Sequence, residues 1–186
     1  MPEALEKLTR KRTITGATRT DSTQINMALY HIIADWYHFA ILTLAKTKDF
    51  KEDPDWIGKR LEISPHQANA AIERMEKLGL LIRKKNRIES TEKMFSTSDE
   101  IPNAWIRKAH HQDLELARKS LDEDNIEKRD FTSVYLAINP RQIPEAKRLI
   151  REFRDKMISL LEENTKQKSE VYNLAFQLYP ISRGEE

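Results

Sequence analysis

The sequence predicts an α+β fold: a winged helix-turn-helix over residues 24–95, followed by a helix and a strand-helix-strand unit over residues 96–182. Three observations predict it. Two helix starts of the cap-then-proline type, Asp53-Pro54 and Ser64-Pro65, lie close together in the chain. The second helix stops at Gly79 and runs directly into two short strand-prone segments. Farther on, two alternating apolar segments bracket a long stretch with helical periodicity.

Residues 1–23 read as a flexible basic leader. Arg10-Lys11-Arg12 and Arg19 sit among Thr, Ser and Gly16 without apolar periodicity. A solvated leader accounts for this run better than a nucleic-acid arm does. From residue 24 to 46, Ile25, Leu29, Ile32, Ile33, Trp36, Phe39, Leu42 and Leu44 give a wide apolar helical face. His31, Asp35 and His38 fall near one face at ligand-like spacing, but without a HExxH-type context they read as polar edges of a buried helix.

Asp53 caps a short helix that turns Trp56, Ile57 and Leu61 inward. Ser64 and Gln67 have the spacing of a reciprocal capping box, with Pro65 at the first helical position. The helix that follows places Ala68, Ala71, Ile72, Met75 and Leu78 on one side, and Gly79 supplies a left-handed stop. Leu80–Arg83 and Arg87–Ser90 read as two strands of a hairpin, with Lys84, Lys85 and Asn86 at its turn. Helix, short helix, turn, helix and hairpin is the order of a winged helix-turn-helix.

Beyond Ser98-Asp99-Glu100, Pro102 opens a helix to about Leu121, with Trp105, Ile106, Ala109, Leu116, Ala117 and Leu121 as its stripe and Leu114 off it. Adjacent His110 and His111 point about 100° apart and make a poor chelate; one buried and one exposed ring is expected. Phe131–Ile138 alternates as a strand. Asn139-Pro140 starts a long helix to about Asn164, whose buried stripe is Ile143, Ala146, Ile150, Phe153, Met157, Leu160 and Leu161. Val171–Tyr179 is a last strand. Two strands and one helix make a marginal sheet with open edges, so a homodimer is expected.

Composition narrows the function. The 186 residues carry 32 Lys+Arg against 30 Asp+Glu, a net charge of +2, which argues against a strongly basic coat protein but leaves room for a local basic patch. The absence of Cys removes disulfides, thiolate nucleophiles and Cys-based zinc sites, and fits a reducing compartment. No apolar run approaches the ~18 residues of a membrane span, and the charged start, Pro2-Glu3-Ala4-Leu5-Glu6-Lys7, lacks the apolar stretch of a signal peptide. A cytoplasmic protein is expected. Without GxSxG, GxGxxG, a phosphate loop or HExxH, no catalytic site, cofactor or metal is expected.

DNA is the leading expected partner. A winged helix would set the start of residues 65–78 in the major groove. Ser64, His66, Gln67, Asn69 and Arg74 are the candidate contacts there, Asn and Gln being suited to adenine. Lys84, Lys85 and Arg87 at the wing would meet phosphates or the minor groove. Residues 81–91 carry four cations against Glu89, a local +3. Glu73 and Glu76 on the same helix oppose phosphate approach if they face it. The alternative is a protein-interaction, dimerisation or ligand-sensing module, with Trp36, Trp105, Tyr135, Tyr172 and Tyr179 as candidate pocket walls. A positive face joining the helix to the wing favours DNA; a mixed-charge face favours a protein partner.

An ordered series of short motifs adds a resemblance. It comprises Trp36-Tyr37-His38-Phe39-Ala40-Ile41, Asp53-Pro54-Asp55-Trp56-Ile57, Leu78-Gly79-Leu80, Ser96-Thr97-Ser98-Asp99-Glu100-Ile101 ahead of the His110-bearing helix, Glu127-Lys128-Arg129-Asp130-Phe131, Val171-Tyr172 and Leu178-Tyr179-Pro180. Over about residues 25–182 the chain resembles a family of conserved hypothetical bacterial proteins, known from predatory and fibre-degrading species, described as a domain of unknown function and associated with transcriptional regulation. His111-Gln112-Asp113 departs from the family pattern, where a basic or apolar residue is common. Longer members carry an additional N-terminal helix-turn-helix domain, whereas a short leader precedes Ile25 here. The resemblance therefore implies the family's C-terminal part, a regulatory or dimerisation module.

Overall fold

The computed structural model of the chain describes residues 34–84, 87–91, 104–162 and 167–182, apart from the Trp105 side chain. The leader at 1–23, the first part of the helix expected from residue 24, Lys85 at the hairpin turn and the Pro102 helix start lie outside the described residues. Helices and one small antiparallel sheet make up the fold, in keeping with the α+β expectation.

Three helices and a hairpin form the first half: α1 (Tyr37–Leu44), α2 (Pro54–Leu61), α3 (Pro65–Lys77), β1 (Leu81–Lys84) and β2 (Arg87–Ser90). The caps read from sequence are present. Asp53 accepts the Asp55 amide at 3.0 Å, with Pro54 opening α2. Ser64 Oγ accepts the Gln67 amide at 3.2 Å while Gln67 Oε1 accepts the Ser64 amide at 3.0 Å, a closed capping box on α3. At the other end Gly79 has φ +68°, and the Leu80 amide reaches back to the Met75 carbonyl at 2.9 Å, a Schellman stop.

The joint between α2 and α3 is tight. Glu62 adopts the left-handed conformation, φ 54° and ψ 41°, and its amide and that of Ile63 both return to the Gly58 carbonyl. A Cβ on Gly58 would lie 2.7 Å from the Ile63 carbonyl oxygen, so only glycine lets the turn fold back on the helix. Glu62, Ile63 and Ser64 are the whole linker.

The core sits inside this half. Ile41, Leu44, Ile57, Ala68, Ala71, Met75, Leu81 and Ile88 are all essentially inaccessible and form one cluster, closed at its rim by Phe50, Trp56 and Leu61. β1 and β2 pair with Leu81 opposite Ser90 and Lys84 opposite Arg87. Their buried residues, Leu81 and Ile88, attach the hairpin to α3's apolar side.

The second half contains α4 (Ala104–Glu123), a single 3₁₀ turn at Ile126–Lys128, another at Pro140–Gln142, and α5 (Ile143–Glu162). Asn139 caps the second turn by accepting the Arg141 amide at 3.0 Å, as its sequence predicts. Leu114 is exposed, off the α4 stripe. His110 is half-buried and His111 exposed.

Two expectations are corrected here. Residues 131–139 and 171–181 are neither helix nor strand, so the strand-helix-strand unit is a helix flanked by two irregular segments. Strands need a ladder, and among the described residues no backbone–backbone hydrogen bond involves residues 129–138 or 171–182. The stripe on α5 is also not buried: no residue of this helix is, and Phe153, Leu160 and Leu161 are exposed.

Candidate nucleic-acid interface

The expected contact residues divide into three groups. His66 and Asn69 lie on the exposed outer side of α3's first turns, with Asn69 Nδ2 donating to Glu73 Oε1 at 2.8 Å. Ser64 and Gln67 are exposed as well, but each is engaged in the capping box; Ser64 Oγ also donates to Gln67 Oε1 at 2.9 Å. A base edge would have to compete with that cap.

Arg74 is turned the other way. Its guanidinium is half-buried and meets His38 Nε2 at 2.7 Å. Arginine has only donors, so Nε2 accepts, and the proton sits on Nδ1, which donates to the Asp35 carbonyl at 3.1 Å. His38 is fully buried in α1, stacked on Tyr37, and joins α1 to α3 with both ring nitrogens engaged. Sequence reasoning placed Arg74 outward and missed this pairing. The only available signal was that His38 falls within the apolar run of α1.

At the hairpin, Lys84 and Arg87 face each other across the ladder. Lys84 Nζ lies 3.1 Å from Glu89, and Arg87 donates to the Thr47 carbonyl at 3.1 Å. Lys85 lies outside the described residues. Arg83 is bridged to both Glu52 and Glu76, and those carboxylates hold its guanidinium more firmly protonated than usual. The local +3 of the sequence is therefore distributed among carboxylates from α3 and from the loop before α2. The face is mixed in sign.

A polar joint connects the two halves. Lys108 Nζ contacts Asp35 at 2.6 Å, Gln112 accepts the Trp36 amide at 3.0 Å, and Lys119 pairs with Glu62 in the α2–α3 turn. Burial pushes the Asp35 carboxyl up, but the Lys108 ammonium, helped by Gln112, outweighs it and holds Asp35 below the ordinary carboxylate range. Asp113 goes the other way: burial raises it, and His110 and Asn173 only partly offset this. Arg60 stacks over Trp56 and donates to the Ser169 carbonyl at 2.7 Å, tying the chain's last segment to α2.

A family model described as a domain of unknown function, DUF4423, matches residues 17–181. The chain belongs to this family. No curated protein and no solved structure matches the chain. The DUF4423 match runs through both halves, so the helical unit with its hairpin and the α4–α5 segment are parts of one family domain. Among the described residues of this DUF4423 chain, no helix is long and apolar enough to cross a membrane, and no cluster of His, Asp or Glu could hold a metal ion. An open cleft of about 680 Å³ runs along α4 beside Trp36, lined by Arg107, Lys108, His111 and Gln112. The aromatics expected to wall a pocket, Tyr135, Tyr172 and Tyr179, are not part of it and stand in solvent.

Proposed function

We propose that residues 34–91 are a winged helix-turn-helix and that the chain is a DNA-binding transcriptional regulator without catalytic activity. The observation that carries this reading is the α2–turn–α3 joint. A three-residue linker, a left-handed Glu62 and a glycine-permitted close approach present the capped first turn of α3, with His66 and Asn69 exposed, at one edge of the unit. Recognition helices of this class contact base edges through those N-terminal residues. The hairpin lies beside it with Lys84 and Arg87 at the tip of the ladder, where a wing meets phosphates.

Fluorescence anisotropy of the chain against mixed duplexes at several salt concentrations tests it. Binding should weaken as salt rises, with a log–log slope of about −0.9 per phosphate contacted. Charge reversal at Lys84, Lys85 and Arg87 should flatten that slope, and His66→Ala or Asn69→Ala should reduce discrimination between sequences. No binding at low salt would refute the reading.

One observation favours a second reading, a protein-docking module. Arg83 and Lys84 are already paired with Glu52, Glu76 and Glu89, so little uncompensated positive charge is left for a polyanion. Absence of DNA binding together with capture of a discrete protein partner, lost on charge reversal at Arg83, would establish that alternative.

A further inference from the structure

We propose that residues 131–139 and 171–181, with the apolar face of α5, are the interface for a second copy of this chain, and that strands form there only between the two copies. This does not depend on whether the first half binds DNA.

The observations converge on these two segments and α5, which Phe153 and Phe176 bring into contact. Both segments are strand-length and alternate in strand fashion, yet neither has a backbone ladder partner among the described residues. Their side chains are as open as their backbones: Val134 is 73% exposed, Tyr135 82% and Tyr179 71%. Of the eighteen large hydrophobic residues exposed among the described residues, fifteen lie between Phe131 and Ile181. At about 100 Å² each, these expose on the order of 1,500 Å² of apolar surface. A stable interface takes about 800 Å² from each partner. Half of this surface would suffice.

The chemistry of the two segments selects the occupant. Neither Phe131–Asn139 nor Val171–Ile181 contains a charged residue. A polyanion therefore has nothing to bind there, and a charged peptide nothing to pair with. Free strands normally carry Lys, Glu or other charge as protection against promiscuous pairing. Strands without that protection need a cover that is always present in equal amount, and a second copy meets that condition. Each copy offers two free strand segments, so a two-fold contact gives every segment a ladder partner and creates one sheet. The α5 helices, whose Phe153 already packs edge-on against Phe176 at 5.8 Å, would cover one face of it. The basic leader at 1–23 is too polar to serve instead.

Sedimentation and hydrogen exchange of the full chain test this together. The expected mass is twice 21.9 kDa at micromolar concentration, with slow amide exchange over residues 131–139 and 171–179. Leu136→Asp combined with Phe176→Asp should give a monomer with helical circular dichroism retained and those amides exchanging fast. Neither residue belongs to the buried cluster of the first half, so its folding is not at stake. Should the variant not fold, exchange and mass of the natural chain still decide. A monomer at every concentration overturns the proposal, with slow exchange then pointing to cover from the chain's own residues 24–33. So does a dimer in which the two segments exchange fast.

Discussion

Residues 34–91 and 104–182 treat their apolar side chains in opposite ways. Of the thirteen buried hydrophobic residues among those described, twelve lie in residues 34–88 and one, Ala109, in the second half. Yet α5 is as amphipathic as any described helix, and its flanking segments are richer in aromatics than the hairpin is. What differs is the packing partner. In the first half three helices and a hairpin converge on Met75 and Ile57. In the second, α5 has no buried residue and α4 buries only Ala109 among the described residues. A strong apolar pattern thus identifies a face that must be covered, while leaving open which molecule covers it.

The largest expected effect separates the halves directly. Met75→Ala empties the centre of the first core and should cost about 2–5 kcal/mol in urea unfolding. Phe153→Ala in a single isolated chain removes a half-exposed ring and should cost far less. A loss at Phe153 that rivals Met75 and fades with dilution would break the comparison, because the second half would then have its own core, shared with a second copy.

The next effect sharpens what the first half demands of its backbone. Gly58→Ala forces a methyl to within 2.7 Å of the Ile63 carbonyl, a backbone atom that cannot swing aside, and should cost about 1–3 kcal/mol. Gly79→Ala meets no atom within 4 Å, but it must hold φ +68°, at about 1 kcal/mol. Both should reduce urea midpoints, Gly58→Ala the more. Reversed magnitudes would mean that the α2–α3 turn can open without disturbing the core.

Much of the first half was legible because its determinants are local. Asp53-Pro54, Ser64-Pro65-His66-Gln67 and Gly79 are sequence-adjacent signals, and the caps, the capping box and the left-handed stop occur where those residues stand. Three features depended on distant atoms and were not legible. Gly58 is dictated by a carbonyl five residues on, Arg74 by a histidine on another helix, and the hairpin's charge by carboxylates brought up from Glu52 and Glu76. In the second half the periodicities at 131–138 and 171–179 are real, but alternation specifies a face and not a partner, and no ladder forms there among the described residues.

The polar joint between the halves should respond to pH. Asp35 has its carboxyl held below its ordinary value by Lys108, so it adds stability above the unfolded carboxylate pKa and loses it as pH falls through the lower, folded value. Lys108→Met should remove that acid-side dependence. Asp113 is raised, so its ionised form costs stability, increasingly as pH rises from the unfolded value through the folded one. Asp113→Asn keeps the acceptor for Asn173 and should give a small gain in melting temperature at neutral pH, absent in acid. Equal shifts at both pH values would mean that burial at Asp113 is not what penalises its charge.

The smallest effect tests whether the turn at Glu62 serves the first half or the contact between halves. Glu62 is the one described non-glycine residue with positive φ, and it is also the partner of Lys119 on α4. Glu62→Gly relieves the left-handed backbone but gives the unfolded chain more freedom, so the net gain should stay below about 1 kcal/mol. Lys119→Met removes the pair and leaves the backbone as it is. If Glu62→Gly raises the urea midpoint while Lys119→Met leaves it unchanged, glutamate at this position weakens the α2–α3 turn, and its pair with Lys119 returns no measurable stability. If Glu62→Gly lowers the midpoint and Lys119→Met lowers it equally, the strained turn is held by α4, and the two halves fold as one unit despite their unequal cores.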